Sequence, residues 1–375
     1  MAADADPALE TLFLPFSEGR LAWPEDEVLF LRARDGWPLH RQPTAGLVCE
    51  QTFKPEADAL QRSGLIVCND GALEDAGVAG GNGVEHASST RYPLVLLLPP
   101  RQRDESRALM ARAVAACAPG GRVLACVANN EGAKSAEDDL RRIAGSVSTA
   151  TKNKCRVFWT GPLHVPSPDP AAPATPSVPL AAELVREWRQ LDRIRPIADG
   201  RLLSRPGVFA WDRIDAASAL LAECLPSDLA GRAADLGAGI GYLGLELLHR
   251  CSAITALDLY EAEARALELA RRNLLPHAGR VELGFHWHDV TTGLPAQYDV
   301  VVTNPPFHGQ GRADRPDIGR RFIAAAANAL RPGGRLWLVA NRHLPYEAVL
   351  QEHFGQVRTV ATRDGFKVVE AVRAR

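Results

Sequence analysis

An asparagine followed by two prolines and a phenylalanine, Asn304-Pro305-Pro306-Phe307, interrupts a β-branched run that begins at Tyr298 in "YDVVVTNPPFHGQG". The prolines remove backbone donors, fix φ, and hold the residue before each of them extended. The corner is therefore stiff, and it presents carbonyls and an amide side chain. Such a site suits an amino group. The Asn304 side-chain oxygen and the Pro305 carbonyl can accept the two N–H bonds of an exocyclic amine, whose lone pair is otherwise delocalised into its ring. A nitrogen oriented in this way can attack an electrophilic carbon in line by proximity and electrostatics, losing its proton late and needing no strong base. Phe307 can stack on a planar base, a contact worth about 1 to 3 kcal/mol. Its plainer role would be that of a core plug.

A second cluster, "AADLGAGIGYLG", carries closely spaced glycines and admits two readings. Gly239-x-Gly241-x-x-Gly244, with Asp258 about twenty residues on, fits a dinucleotide fingerprint. Asp235-x-Gly237-x-Gly239-x-Gly241 resembles the first motif of class I S-adenosylmethionine (SAM) methyltransferases. Both need a side-chain-free turn after the first strand, where backbone N–H groups and a helix N-terminus approach a ligand. The dinucleotide reading leaves Asn-Pro-Pro-Phe without a role, which favours the methyltransferase. In that pattern Asp258 is the ribose-binding acid at the end of the second strand, and Asp289, in "WHDV", contacts the adenine amino group. A helix N-cap for Asp258 and an exposed turn position for Asp289 are the structural alternatives.

These residues need elements to hold them. Across the second half, strand-like and helix-like stretches alternate: "RAADLG" then "LGLELLHR", "AITALDL" then "EAEARALELARRNL", "YDVVVTN" then "DIGRRFIAAAANAL", "GRLWLVAN" then "PYEAVLQEHF". Alternation of this kind predicts a parallel sheet with helices on both faces. The tail departs from it. Asp364-Gly365 between two period-two runs predicts a hairpin and an antiparallel edge.

The first half reads as a copy of the second. "YPLVLLLPP" from Tyr92 matches "YDVVVTNPP" from Tyr298, "APGGRVLACVAN" from Ala118 matches "RPGGRLWLVAN" from Arg331, and "ATKNKCRVF" from Ala150 matches "ATRDGFKVV" from Ala361. The offsets stay between 206 and 213, which is a whole-domain repeat rather than a solenoid period. Between Gly161 and Leu180 a proline falls every few residues, the composition of a semi-rigid spacer. The expected division is a first domain over 1–162, a linker over 163–180 and a second domain over 181–375.

Composition adds exclusions. A formal net charge of −2 provides no global basic field for nucleic acid or membrane. Seven cysteines without a C-x-x-C pair argue against a zinc cage and a disulfide framework, so no metal is expected. No stretch reaches the length of an apolar span, and the acidic "MAADADPALE" is not a secretory signal, so a soluble cytoplasmic protein is expected.

"NPPFHGQG", "VANRHLPYEAVLQEHFG", "TRDGFKVVEAVRAR" and "RPGVFAWDRIDAASALL" together resemble the RsmC/RlmG family of ribosomal RNA guanine-N2 methyltransferases over essentially the whole second half. The resemblance implies two tandem Rossmann-like class I methyltransferase domains, α/β, each a mostly parallel seven-stranded sheet with helices on both faces, the N-terminal one degenerate. It implies SAM as cofactor, bound by Asp235, Gly237, Gly239, Gly241, Asp258 and Asp289, and Asn304, Pro305 and Phe307 at the reacting amine. Gly207, Phe209 and Asp215 fall in the family's segment near the SAM pocket, and His308 takes a loop-stabilising or RNA-contacting role. "NNEGAKSAEDDL", from Asn129, favours the RsmC-like branch, with the small ribosomal subunit or its 16S RNA as partner. In the first half "VLFLRARDGWP" stands where the glycine loop belongs, and Leu98 stands in the place of Asn304. Both ligand sites are thus expected to be lost there. Arg312, Arg315, Arg320, Arg321 and Arg342 are candidate RNA contacts or simply a solvated face. A monomer is favoured. The rivals are a 23S rRNA guanine-N2 methyltransferase, a protein glutamine-N5 methyltransferase, and a non-catalytic RNA-binding ribosome assembly factor.

Overall fold

The computed structural model describes residues 6–41, 46–69, 90–164, 178–179, 181–306 and 316–375. The chain divides into two units, Met1–Arg193 and Ile194–Arg375. No helix among the described residues is long and apolar enough to cross a membrane.

The first unit holds a seven-stranded sheet of β1 (Val28–Leu31), β2 (Leu47–Glu50), β3 (Ile66–Cys68), β4 (Tyr92–Leu97), β5 (Cys117–Ala128), β6 (Val147–Lys152) and β7 (Cys155–Thr160), in the order β3-β2-β1-β4-β5-β7-β6. Strands β1 to β5 pair in parallel, and β7 runs antiparallel to both β5 and β6. The interior strand β1 is Val-Leu-Phe-Leu with every residue buried, the continuous apolar run that a doubly covered parallel strand requires. Helices α1 (Pro7–Leu12), α2 (Leu14–Ser17), α3 (Trp37–Arg41), α4 (Lys54–Arg62), α5 (Arg103–Ala116), α6 (Ala133–Ala144) and α7 (Ala182–Trp188) complete the unit, with a two-residue parallel pair, β8 (Leu163–His164) and β9 (Val178–Pro179).

Helix α7 belongs to this first unit, although residues from 181 on were expected to open the second domain. Its Trp188 is 2% exposed within the first unit's apolar core. The guanidinium groups of Arg107 and Arg142 lie over the ring at 4.9 and 5.2 Å, and the Ala181 N–H donates to the Ile143 carbonyl. Burying a tryptophan outweighs the sequence break that the prolines mark. The seam between the units therefore falls after Arg193. The proline-rich stretch 165–177 lies outside the described residues.

The second unit opens on a short antiparallel pair, β10 (Arg195–Ile197) and β11 (Leu202–Ser204). Its main sheet has β12 (Gly231–Leu236), β13 (Ile254–Glu261), β14 (Glu282–Trp287), β15 (Tyr298–Thr303), β16 (Leu330–Asn341), β17 (Gln356–Arg363) and β18 (Phe366–Val372), in the order β14-β13-β12-β15-β16-β18-β17. Strand for strand this is the topology of the first unit. Both terminal hairpins turn on two residues of positive φ, Asn153 and Lys154 at 52° and 58°, Asp364 and Gly365 at 52° and 83°, the geometry that matches strand twist in a two-residue turn. Helices α8 (Ala216–Cys224), α9 (Tyr242–Arg250), α10 (Ala264–Leu274), α11 (Pro316–Ala329) and α12 (Glu347–His353) complete this unit. Alternate residues of its strands feed two apolar layers. Leu257, Leu259, Trp337 and Val339 pack in one, and Leu236, Val301, Leu338 and Ala340 in the other.

Candidate functional site

The carboxyl ends of β12, β13 and β15 converge where the central strand of the second sheet gives way to α9, the place at which open α/β sheets bind ligands. Gly237, Gly239 and Gly241 form the turn, with φ of 69°, 55° and 85°, a region that costs side-chain-bearing residues strain. The Gly237 and Ala238 N–H groups both donate to the Tyr260 carbonyl, at 2.9 and 3.1 Å, tying the turn to the neighbouring strand. The glycines serve different ends. A Cβ on Gly241 would meet Leu274 Cδ1 at 2.5 Å, so that position is bare for packing against α10. A Cβ on Gly239 would meet none of the described residues within 4 Å, so that side of the turn is open among them.

Asp235, on β12, is fully buried. Its Oδ2 accepts the Gly244 N–H of α9 at 2.8 Å, while Oδ1 has no partner among the described residues. Burial pushes its carboxyl up to about 7, against the lowering effect of the Gly244 N–H. An orphaned buried acceptor beside an open glycine turn fits a ligand that brings a cationic donor.

Asp258 does not stand at the end of its strand. Strand β13 runs three residues further, to Glu261, and Asp258 is committed to a buried network. Its Oδ2 accepts from Arg232 Nη2 at 2.7 Å and from Tyr298 Oη at 2.9 Å, its Oδ1 lies 3.1 Å from His286 Nε2, and Tyr298 Oη lies 2.6 Å from Tyr260 Oη. A side chain at Gly284 would collide with this group, since its Cβ would fall 2.0 Å from Asp258 Oδ1. Burial opposes the charge of Asp258, and the His286, Arg232 and Tyr298 hydrogen bonds outweigh it, holding the carboxyl at about 2.

The acid at the strand end is Glu261. Its Oε2 accepts the Gly239 N–H at 2.7 Å, and its Oε1 accepts the Glu263 N–H at 2.8 Å. Burial raises its carboxyl, with the two N–H bonds working against that rise. Sequence reasoning missed Glu261 because it ended the strand at Leu259; counting the run on through Tyr260 would have found it. Asp289 follows β14 and caps a short 3-10 turn, its Oδ1 accepting from the Thr291 N–H and hydroxyl at 2.9 and 2.7 Å.

Asn304 follows β15 directly. Its Nδ2 donates to Asp215 Oδ2 at 3.0 Å and to Ser218 Oγ at 2.8 Å, while its Oδ1 is buried without a partner among the described residues. Asp215 is the N-cap of α8, where its Oδ2 also accepts the Ser218 N–H at 2.9 Å. Pro305 is buried and Pro306 exposed. Phe307 and His308 lie outside the described residues, as do Arg312 and Arg315. Arg320, Arg321 and Arg342 are exposed.

A cleft brings Asn304, Asp215 and Ser218 together with Gly237, Gly239 and Tyr242. Phe209 stands at this cleft, 63% exposed, between Gly207 and Ala210, both of positive φ at 92° and 49°. Asp258 and Asp289 are not among its walls. Chemically the cleft offers a bare glycine turn and an orphaned amide oxygen for an N–H donor, with the orphaned carboxylate oxygen of Asp235 buried behind that turn.

Residues 199–370 match the model of the methyltransferase small domain. The chain is 32% identical over 292 residues to ribosomal RNA small subunit methyltransferase C of Pseudomonas aeruginosa (strain LESB58), covering 77% of this chain and 81% of that one. It is 37% identical over 181 residues to the protein of the same name from Alcanivorax borkumensis, covering 47% and 53%. Among solved structures, the T. thermophilus 16S rRNA N2 G1207 methyltransferase (RsmC) in complex with AdoMet and guanosine aligns with a TM-score of 0.73 and 25% identity, covering 99% of this chain and 93% of that one.

Proposed function

The chain belongs to the family of ribosomal RNA small subunit methyltransferase C, and we propose that it transfers a methyl group from SAM to the exocyclic N2 of a guanine in 16S ribosomal RNA. The observation that carries this reading is the amide of Asn304, whose nitrogen is tied down and whose buried oxygen has no partner among the described residues and can accept an N–H.

The residues of the cleft suit SAM. When bound, SAM supplies a methyl carbon made electrophilic by a sulfonium. In this reading the bare turn at Gly237, Gly239 and Gly241 would admit the backbone of the ligand and Asp235 would provide the acceptor for a cationic group, while Asp289, outside the walls of the cleft, remains the candidate for the adenine amino group. Glu261 takes the ribose-binding role expected of Asp258, because Glu261 stands at the strand end beside Gly239 while Asp258 is spent on Arg232 and Tyr298. Asn304 Oδ1 and the Pro305 carbonyl accept the two N–H bonds of the guanine amine, aim its lone pair and stabilise the positive charge that grows on nitrogen during attack. Phe307 stacks on the base, which must be unpaired or flipped out to reach the site. The second unit carries the chemistry, and the first supports folding or RNA docking. The protein acts as a monomer in the compartment where ribosomes are assembled.

Incubation with labelled SAM and separated 16S rRNA, 23S rRNA and protein fractions tests this. Label is expected in 16S rRNA, as N2-methylguanosine on nucleoside mass spectrometry. Label in 23S rRNA or in protein glutamine alone overturns the substrate. Asn304→Ala is expected to reduce turnover at least about a hundredfold, the scale of losing an oriented electrostatic contact in the transition state. SAM affinity should stay near the wild-type value; its loss would show that Asn304 holds the cofactor instead.

A further inference from the structure

An asparagine amide can face its substrate in two ways. With its oxygen forward it accepts from an amine, and with its nitrogen forward it donates to a carbonyl. The proline corner that follows Asn304 stiffens the backbone but does not decide between these, because rotation about the last side-chain bond exchanges them at little steric cost. Something else must set the face.

We propose that Asp215 and Ser218 are positioning residues that lock the Asn304 amide oxygen-forward, making the site selective for an amino group over a carbonyl. Asp215 is an acceptor only. Its Oδ2 takes one Asn304 Nδ2 hydrogen at 3.0 Å, and Ser218 Oγ takes the other at 2.8 Å, so both donors of the amide nitrogen are used on α8. A reversed amide would set its oxygen against the Asp215 carboxylate, lose both bonds and leave two acceptors facing each other. Oδ1 is buried as well and has no partner among the described residues, so the requirement the amide leaves unmet there is for a donor. The carboxylate behind the amide also polarises it, which strengthens Oδ1 as an acceptor as positive charge develops on the attacking nitrogen. A base presents both kinds of group on its edge; a locked acceptor selects the amine. Helix α8 supplies both anchors one turn apart because Asp215 is its N-cap and Ser218 lies three residues on, where the cap bonds the Ser218 N–H at 2.9 Å.

This inference rests on the reading of Asn304 as the amine acceptor, and the test separates the two. Asp215→Asn keeps an equally good N-cap but removes the charge and makes the residue at 215 a donor as well as an acceptor. Ser218→Ala removes one anchor, and Ser218→Thr keeps the hydroxyl. Methylation of 16S rRNA is measured for these and for Asn304→Ala, with SAM affinity by calorimetry and melting temperature alongside. Asp215→Asn is expected to lower kcat about 10- to 100-fold and Ser218→Ala about 3- to 10-fold, the range for losing a charge-assisted and a neutral hydrogen bond. SAM affinity and melting temperature should stay near wild type, and Ser218→Thr should recover most of the rate. Wild-type kcat in both Asp215→Asn and Ser218→Ala while Asn304→Ala is inactive overturns the positioning role and leaves Asn304 in place. A fall in kcat accompanied by an equal fall in SAM affinity also overturns it, by assigning both residues to the cofactor pocket. Normal turnover by Asn304→Ala removes the reading on which the inference rests.

Discussion

At the scale of single residues, Asp258 shows how an acid expected to bind ligand can be an anchor of the fold. The carboxylate is 4% exposed, and it persists as a charge because Arg232, Tyr298 and His286 surround it. Its carboxyl is held at about 2 in the folded chain, against about 3.9 for an unperturbed aspartate. A depressed folded value stabilises the fold above the unfolded value, and that contribution drains away as pH falls from about 4 towards 2. It amounts to about 2 to 3 kcal/mol at neutral pH. Asp258→Asn should therefore cost roughly that much in urea denaturation at pH 7, and the gap from wild type should narrow as pH is lowered through that window. A gap that stays constant with pH would show that the charge is not what Asp258 contributes. The residue types were legible in sequence, but their assignment depended on where β13 ends. An acid on an apolar strand reads as a strand end until the Tyr298 hydroxyl and the Arg232 guanidinium, 40 and 26 residues away, are seen to meet it. Asp215 and Ser218 were hidden for the same reason, since their partner Asn304 is 89 and 86 positions distant.

At the scale of elements, local signals were read well where a period was long and failed where an element was short or polar. The alternation that begins at β12 and the Asp364-Gly365 hairpin follow from residue pattern alone. The pair β10–β11 was not found, because three-residue strands carry no measurable period. Helix packing adds a constraint that propensity misses. Gly319 lies inside α11, where replacing glycine by alanine ordinarily stabilises a helix by about 0.5 to 1 kcal/mol. Here an alanine Cβ would fall 1.8 Å from Tyr346 Oη and 2.4 Å from its ring, and Tyr346 is fully buried just ahead of α12. Overpacking of this kind costs about 1 to 3 kcal/mol, so the steric effect wins. Gly319→Ala should lower the melting temperature, and Gly319→Ala combined with Tyr346→Phe should recover part of the loss. A Gly319→Ala variant that melts at or above wild type would mean that α11 and α12 are free to separate.

At the scale of the whole molecule, the two units share one strand order and have parted at their functional corners. In the second unit the central strand ends in a bare turn with an open side at Gly239. In the first, β1 runs into Arg32, itself at a φ of 54°, and Arg34, whose guanidiniums pair with Glu105 and Asp6 at 3.2 and 2.9 Å. Charged side chains thus occupy the region where a ligand backbone would have to approach. Leu98 is 2% exposed and packs in the apolar core, with its N–H bonded to the Leu31 carbonyl, so the amine corner has become core as well. Duplication was legible in sequence because apolar strand blocks are retained under the same packing demand, whereas these ion pairs depend on residues spread from Asp6 to Glu105. The expected consequence is one SAM site per chain. Calorimetric titration of the intact protein should give a stoichiometry near one. Gly239→Ala should weaken that single site at least about tenfold, because its side chain projects into the open side of the turn where the ligand would approach. Since that Cβ meets no atom of the described residues within 4 Å, folding bears only the strain of roughly 1 to 2 kcal/mol at positive φ, and the melting temperature should fall only modestly. A second equivalent of SAM, or a site untouched by Gly239→Ala, would mean that the first unit still binds the cofactor despite its arginines.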